Sequence, residues 1–312
     1  MPIVLLWSIA TLSAQVNSPS SAKSDWNVRD QIPVEKFIIQ SHRGAGELAP
    51  ENTLEAFQLG WKLGTIPECD VRTTSDGVIV TFHDDNFKRV VKNVSPELQD
   101  KGVKDITFKE LSSLDVGSWK GDNFEGRRVS RLSDVFEQMH GHPERRLYLD
   151  YKNVDLKQLA SEVKTHAVER QIILATTNYK IIQEWKTLIP ESETLLWMGG
   201  TEEALQKRIE DLRKAKFAGV TQLQLHVRQP KEPGSKDPFT PSNAFIIKLG
   251  KELRKHGILF QSLPWGMSDT ESYRKLLDLG VASFATDHPE VTLKAVREYY
   301  QEKKSKTSTS AP

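Results

Sequence analysis

The chain has 312 residues, 38% hydrophobic and 27% charged, with a formal net charge of +1 from 43 basic and 42 acidic side chains. That balance suits a soluble globular protein and excludes association with nucleic acid or an anionic membrane driven by bulk charge. A single cysteine, Cys69, excludes an internal disulfide and any zinc site built from several thiolates.

Residues 1–14 form a short apolar run ending in small residues, and a Ser/Pro/Ala-rich stretch follows to residue 24. The run is too short to span a bilayer as a helix, and no Lys or Arg precedes it. It resembles a signal-peptide core followed by a flexible N-terminus, which points to a secreted or periplasmic protein without a stable membrane anchor. Residues 37–41 (FIIQS) read as the first strand and 52–62 as an amphipathic helix. Residues 68–72 and 78–82 read as strands joined by a tight Ser75-Asp76-Gly77 turn. A long irregular insertion covers 86–126, with one helical piece near 108–114. Residues 131–139 are helical, 146–151 (RLYLDY) form a strand, and 155–170 form its helix.

From there the period is regular. Strands are expected at 172–175, 194–198, 220–225, 258–262 and 282–285, with helices at 179–188, 202–215, 242–256, 269–279 and 289–301. The polar segment 302–312 reads as a frayed tail. Repeated βα units imply a parallel sheet covered by helices, and seven or eight of them close naturally into a (β/α)8 TIM barrel. We expect one such domain over 25–301, with a small insertion after the second-strand region. A doubly wound open sheet is the alternative, although no G-x-G-x-x-G follows the first strand.

In a barrel, active groups lie at the C-terminal ends of strands, and polar residues gather there. His42 and Arg43 follow the first strand. Glu68 and Asp70 stand two apart on the second, so both carboxylates face one spot. His83 ends the extra strand, and Asp150 with Lys152 repeats the two-residue spacing. Oxygens from Glu68, Asp70 and Asp150 suit one hard divalent cation, Mg²⁺ or Ca²⁺. Imidazoles titrate near neutrality and can move protons.

These residues form a pattern that resembles the glycerophosphodiester phosphodiesterase family, within the phospholipase C-like phosphodiesterase superfamily. The matches are His42-Arg43-Gly44, Pro50-Glu51-Asn52-Thr53, Glu68 with Asp70, Thr74-Ser75-Asp76-Gly77 and His83-Asp84. The resemblance implies a TIM barrel and metal-dependent hydrolysis of small glycerophosphodiesters to glycerol phosphate and an alcohol. It implies the same metal triad with the third ligand often a Glu, so Asp150 is one methylene shorter. On this reading His42 and His83 are general acid and base, with the order open, and Arg43 and Lys152 neutralise phosphate charge. Glu51 adds a ligand or fixes His42 or Arg43, and Trp265 lines the mouth. The glycerol hydroxyl beside the ester is the implied nucleophile, giving a cyclic phosphate that water opens. Asp287 is expected to serve the start of the helix that Pro289 opens. His226 and Arg228 could touch a head group.

Other readings are plainer. His140, His142, His166, His256 and His288 read as surface or packed residues. Trp26, Trp61, Trp119, Trp185 and Trp197 read as packing residues, and Cys69 as a small apolar filler. Two competing functions are a lipid-acting relative, of the sphingomyelinase D or phosphoinositide phospholipase C kind, and a catalytically weak phosphodiester-binding protein. The first calls for an apolar rim or a basic patch. The second calls for loss of a histidine or a metal ligand, and none is lost.

Overall fold

The computed structural model describes residues 22–230, 235 and 237–308, with side chains as far as residue 302. The signal-like run at 1–14 lies outside the described residues. Nine strands form one sheet: β1 (Ile39–Ser41), β2 (Ile66–Thr73), β3 (Ile79–Thr81), β4 (Leu147–Asn153), β5 (Ile172–Thr176), β6 (Glu193–Met198), β7 (Gln222–Val227), β8 (Leu259–Pro264) and β9 (Ser283–Thr286). All except β3 run parallel to their neighbours, and β1 pairs with both β9 and β2. Eight strands therefore close on themselves as the expected (β/α)8 barrel, and the β1–β9 pairing rules out the open sheet.

A short α1 (Val28–Gln31) precedes the barrel. Its helices are α2 (Leu54–Leu63), α3 (Pro96–Gln99) and α4 (Phe108–Leu111) in the insertion, α5 (Leu132–Met139), α6 (Leu156–Thr165), α7 (Tyr179–Leu188), α8 (Glu202–Lys214), α9 (Asn243–Lys255), α10 (Thr270–Asp278) and α11 (Pro289–Ser308). Helices begin where a side-chain oxygen can accept from an unpaired backbone N–H. Thr53 accepts from Ala56, Asp155 from Gln158, and Ser242 from Phe245. A stripe at helical spacing then packs against the strands, as Leu205, Ile209 and Leu212 do on α8. Two helix ends differ most from expectation. Helix α6 stops at Thr165 instead of reaching 170, because Ala167 turns left-handed (φ 54°). The backbone of α11 stays helical through 302–308, where a frayed tail is expected.

Strand alternation divides the barrel wall into two faces. On β7, Leu223, Leu225 and Val227 pack toward the helices. Gln222 and Gln224 turn inward, where Gln224 Nε2 donates to Gln40 Oε1 (3.0 Å) and Gln261 Oε1 (2.6 Å). Tyr148 Oη donates to Gln222 Oε1 at 2.8 Å. Leaving such a buried amide unpaired costs about 1–3 kcal/mol, so the network has to be satisfied for this plug to form. It makes a polar floor beneath the rim.

β1 is only three residues long. Beyond it, β2 continues and pairs antiparallel with β3, Val71 opposite Thr81. The insertion follows, with a core of its own built on Phe82, Phe87, Val103 and Leu111. The loop after β1 runs tight against the loop after β9. Gly46 has φ +58°, and a Cβ there would lie 2.1 Å from the Asp287 carbonyl oxygen. Gly46→Ala is expected to destabilise the protein by about 2 kcal/mol or more, because backbone strain and a collision with backbone act together. A lowered urea midpoint checks this.

Candidate active site

The C-terminal rim gathers His42, Arg43, Glu68, His83, Asp150 and Lys152 around one cavity of about 100 Å³. Strand register explains the carboxylates. Asp70 and Asp150 are paired residues of β2 and β4, and Glu68 precedes Asp70 by two on the same face. One oxygen from each of the three lies within 4.8 Å of the others. The β2–β4 register then slips, leaving Lys152 without a partner on β2. Its Nζ reaches Asp150 Oδ2 at 2.7 Å and Asp70 Oδ1 at 3.2 Å.

Glu68 and Asp70 are 2% and 1% exposed. Glu68 Oε2 accepts from Arg43 N (2.6 Å), and Asp70 Oδ2 accepts from Asn52 Nδ2 (2.8 Å). Glu68 Oε1 and Asp70 Oδ1 are buried without a hydrogen-bond partner, the Lys152 contact being an ion pair only. Burial raises the Glu68 pKa, and the nearby Asp70 charge raises it further. Burial also works to raise Asp70, but Lys152, His83, Arg43 and the Asn52 donor outweigh it and hold Asp70 low. Burial leaves Asp150 raised, with Lys152 opposing and Asp70 reinforcing. Two of the three carboxylates, Asp70 and the half-buried Asp150, thus share one ammonium at bonding distance, and Glu68 Oε1 and Asp70 Oδ1 are two hard oxygens left over. That donor set fits a divalent cation of the Mg²⁺ or Ca²⁺ kind.

Each histidine is held through Nδ1 by an aspartate at 2.6 Å, His42 by Asp287 and His83 by Asp84. Nε2 of each ring is left for chemistry. The expectation that Asp287 serves only the start of a helix is corrected. Helix α11 does open at Pro289, yet the Asp287 carboxylate orients His42. Ser41 pairs with Thr286 across β1–β9, and His42 N donates to Thr286 O at 3.0 Å, so His42 and Asp287 stand next on the same ladder. Burial alone would lower the His42 pKa, but the Asp287 hydrogen bond and the Glu68 and Asp287 charges hold it above the ordinary value. Asp287→Asn is expected to lower it. Histidine NMR titration reads the midpoint, and an unmoved one would count against this account.

Glu51 accepts from Arg43 Nη1 (3.0 Å) and from two nitrogens of Arg89 (2.6 Å each). One of its oxygens falls near His83 and Asp84. Both oxygens are already taken by guanidinium groups, so Glu51 fixes Arg43 and stands apart from the carboxylate triad. Asn52, with φ +55°, holds Asp70 at both backbone and side chain.

Trp265 borders both cavities, edge-on to His42 at 5.9 Å, with the Arg228 guanidinium 5.4 Å from its ring. His226 stacks on Trp197 at 5.0 Å. Burial, helped by the positive charges of His42, Arg228 and Arg208, lowers its pKa to about 4 and keeps it neutral. Trp197 packs against Tyr148, Ile173 and Leu195 and Trp119 against the core of the insertion, as expected, but each has a second place at a cavity. Trp197 lines the first cavity, its Nε1 3.4 Å from Asp150 Oδ1. Trp119 lines a second cavity of about 170 Å³ that shares His42, Arg43 and Trp265 with the first. Trp197 carried a signal, standing two residues after the inward Leu195 on β6. Trp119 lies in an irregular loop and carried none. The five histidines read as plain border neither cavity.

With this geometry in place, comparison with known proteins gives one answer. The profile of the glycerophosphoryl diester phosphodiesterase family matches residues 42–291. A glycerophosphodiester phosphodiesterase of Caldanaerobacter subterraneus subsp. tengcongensis is 26% identical over 270 residues, covering 84% of this chain and 98% of its own. Human lysophospholipase D is 27% identical over 275 residues, covering 80% and 82%. The solved structure of an Oleispira antarctica phosphodiesterase, in complex with its product sn-glycerol-3-phosphate, superposes with a TM-score of 0.63 at 22% identity, covering 83% and 96%. A barrel whose rim residues match that profile from His42 onward, over most of the chain, belongs to the glycerophosphoryl diester phosphodiesterase family and is a phosphoric diester hydrolase.

Proposed function

We propose that this enzyme hydrolyses soluble glycerophosphodiesters to glycerol phosphate and an alcohol, with a divalent cation held by Glu68, Asp70 and Asp150. The observation that carries this is a buried carboxylate cluster with unpartnered oxygens, flanked by two aspartate-held imidazoles at one cavity. When bound there, a divalent cation supplies Lewis-acid stabilisation of charge on the phosphoryl oxygens. Arg43 and Lys152 present cationic donors to the same phosphate. His42 borders both cavities and His83 only the first. A diester seated in the first cavity therefore directs its leaving alcohol toward the second, past His42.

His42 then protonates the departing oxygen, and His83, steadied by Asp84, takes the proton from the attacking hydroxyl. That hydroxyl is the glycerol one beside the ester, so a cyclic phosphate forms. Water opens it with the two histidines exchanging roles. Trp197 and Trp265 wall the cavity.

The relative solved with sn-glycerol-3-phosphate supports this substrate class. Among the described residues, Val34 and Leu48 are the exposed large hydrophobics, which offers little surface for an acyl chain and favours soluble diesters over intact lipid. The test is turnover of glycerophosphocholine and other glycerophosphodiesters with Mg²⁺, with Ca²⁺ and with EDTA. Cation-dependent release of glycerol phosphate is expected. A cation-bound protein that turns over none of them would refute the reading.

A further inference from the structure

We infer that Arg89, in the insertion after β3, is a positioning residue that sets His83 and Arg43 together. The inference rests on the catalytic reading of those two groups. Arg89 forks between two carboxylates. Its Nε and Nη2 donate to Asp84 Oδ2 (2.7 Å) and Oδ1 (2.9 Å), while Nη1 and Nη2 donate to Glu51 Oε2 and Oε1 (2.6 Å each). Asp84 Oδ1 is the partner of His83 Nδ1 at 2.6 Å, and Glu51 Oε2 is the acceptor for Arg43 Nη1 at 3.0 Å. One guanidinium therefore stands behind both a proton-transfer imidazole and a phosphate-facing arginine. Arg89 borders neither cavity, so it acts through Asp84 and Glu51 and not on substrate.

The fork is what matters. Two edges of a planar guanidinium serve two carboxylates at once, a geometry that a lysine ammonium cannot reproduce with the same charge. Without it, Glu51 and Asp84 become like charges whose oxygens come within 4.8 Å. Asp84 then turns away from His83, and Glu51 no longer fixes Arg43. The Trp119 ring lies 5.6 Å from the Arg89 guanidinium, so the folding of the insertion is tied to the alignment of the site.

The test uses the full chain carrying Arg89→Lys or Arg89→Gln, each checked for folding by circular dichroism. Nitrogen-15 histidine NMR reads the His83 ring, assigned by its loss in His83→Gln. The wild type is expected to keep its proton on Nδ1 against Asp84, and both variants to show a mixed tautomer. Against a glycerophosphodiester, kcat should fall about 100-fold with KM changed less than about threefold, and lysine should recover under a tenth of the loss. If the glutamine variant fails to fold, the lysine variant decides. An unchanged His83 ring overturns the inference whatever the activity, and so does wild-type kcat in an active enzyme. A wild type inactive on every glycerophosphodiester sinks the substrate reading instead, and the ring signature still decides this one.

Discussion

Glu68→Gln is expected to abolish stabilisation by Mg²⁺ or Ca²⁺ while leaving the cation-free protein as stable as before, or more so. Glutamine keeps an oxygen for Arg43 N, which Glu68 Oε2 meets at 2.6 Å, and its amide replaces an oxygen that has no partner. A carboxyl group crowded by the Asp70 and Asp150 charges is replaced by a neutral one. The Glu68 pKa is raised in the folded state by burial and by Asp70. Its contribution to stability is therefore fully present below the ordinary carboxylate pKa and is lost as pH rises through the elevated one. Glutamine has no such loss, so its advantage in EDTA grows with pH, by at most about 1.4 kcal/mol per pH unit across that interval. With cation the order reverses. The wild type gains about 2.7 kcal/mol at a hundred times Kd, and the variant gains little. Losing several kcal/mol of charge stabilisation lowers turnover by on the order of a thousandfold. Melting curves against pH, with EDTA and with each ion, decide the matter. A wild type whose melting ignores both ions would remove the cation site.

His42→Ala and His83→Ala are each expected to reduce kcat by roughly 10²–10⁴-fold, with cation stabilisation retained. Both rings stand outside the carboxylate triad, and His42 Nε2 is 4.0 Å from Glu68 Oε2. The two losses differ in their structural consequence. Removing His83 leaves Asp84 gripped by Arg89 through two hydrogen bonds. Removing His42 takes away the hydrogen bond that holds Asp287 as a low-pKa carboxylate against the effect of burial. His42→Ala should therefore be the less stable variant, by on the order of 1 kcal/mol. The double variant should lose less than the product of the two effects, because both rings serve one proton transfer. A change confined to KM in either single variant would contradict the assignment.

The parts of the site that were legible in the sequence are those set within a few residues. Glu68 and Asp70 share a face because a strand alternates, and their placement at a strand end follows from the same pattern. His42, Arg43 and His83 stand in recognisable local segments, and Trp265 follows the inward face of β8. Asn52 was visible only as a member of its motif, and nothing local showed that its amide would clamp Asp70. The cavity-lining role of Trp197 was missed because its neighbours Leu196 and Met198 pack, and a single aromatic beside them looks like more of the same. The short α3 and the early end of α6 escaped because one turn of helix and one left-handed alanine leave almost no periodic signal.

By itself the sequence determined the alternating strands, the βα period that makes a barrel the economical solution, and the carboxylate, imidazole and cation types available at the rim. These follow from backbone pleat, helical pitch and residue chemistry, all of which act locally. Tertiary structure decided which of those groups meet. Closure of β1 onto β9 puts Asp287 on His42 across 245 residues of chain. A slipped register sends Lys152 between Asp70 and Asp150. The folded insertion brings Arg89 back between Glu51 and Asp84. The distant halves of these contacts, Asp287 to His42, Lys152 to Asp70 and Arg89 to Glu51, join segments that share no local pattern and are fixed by strand register and loop packing once the barrel has closed.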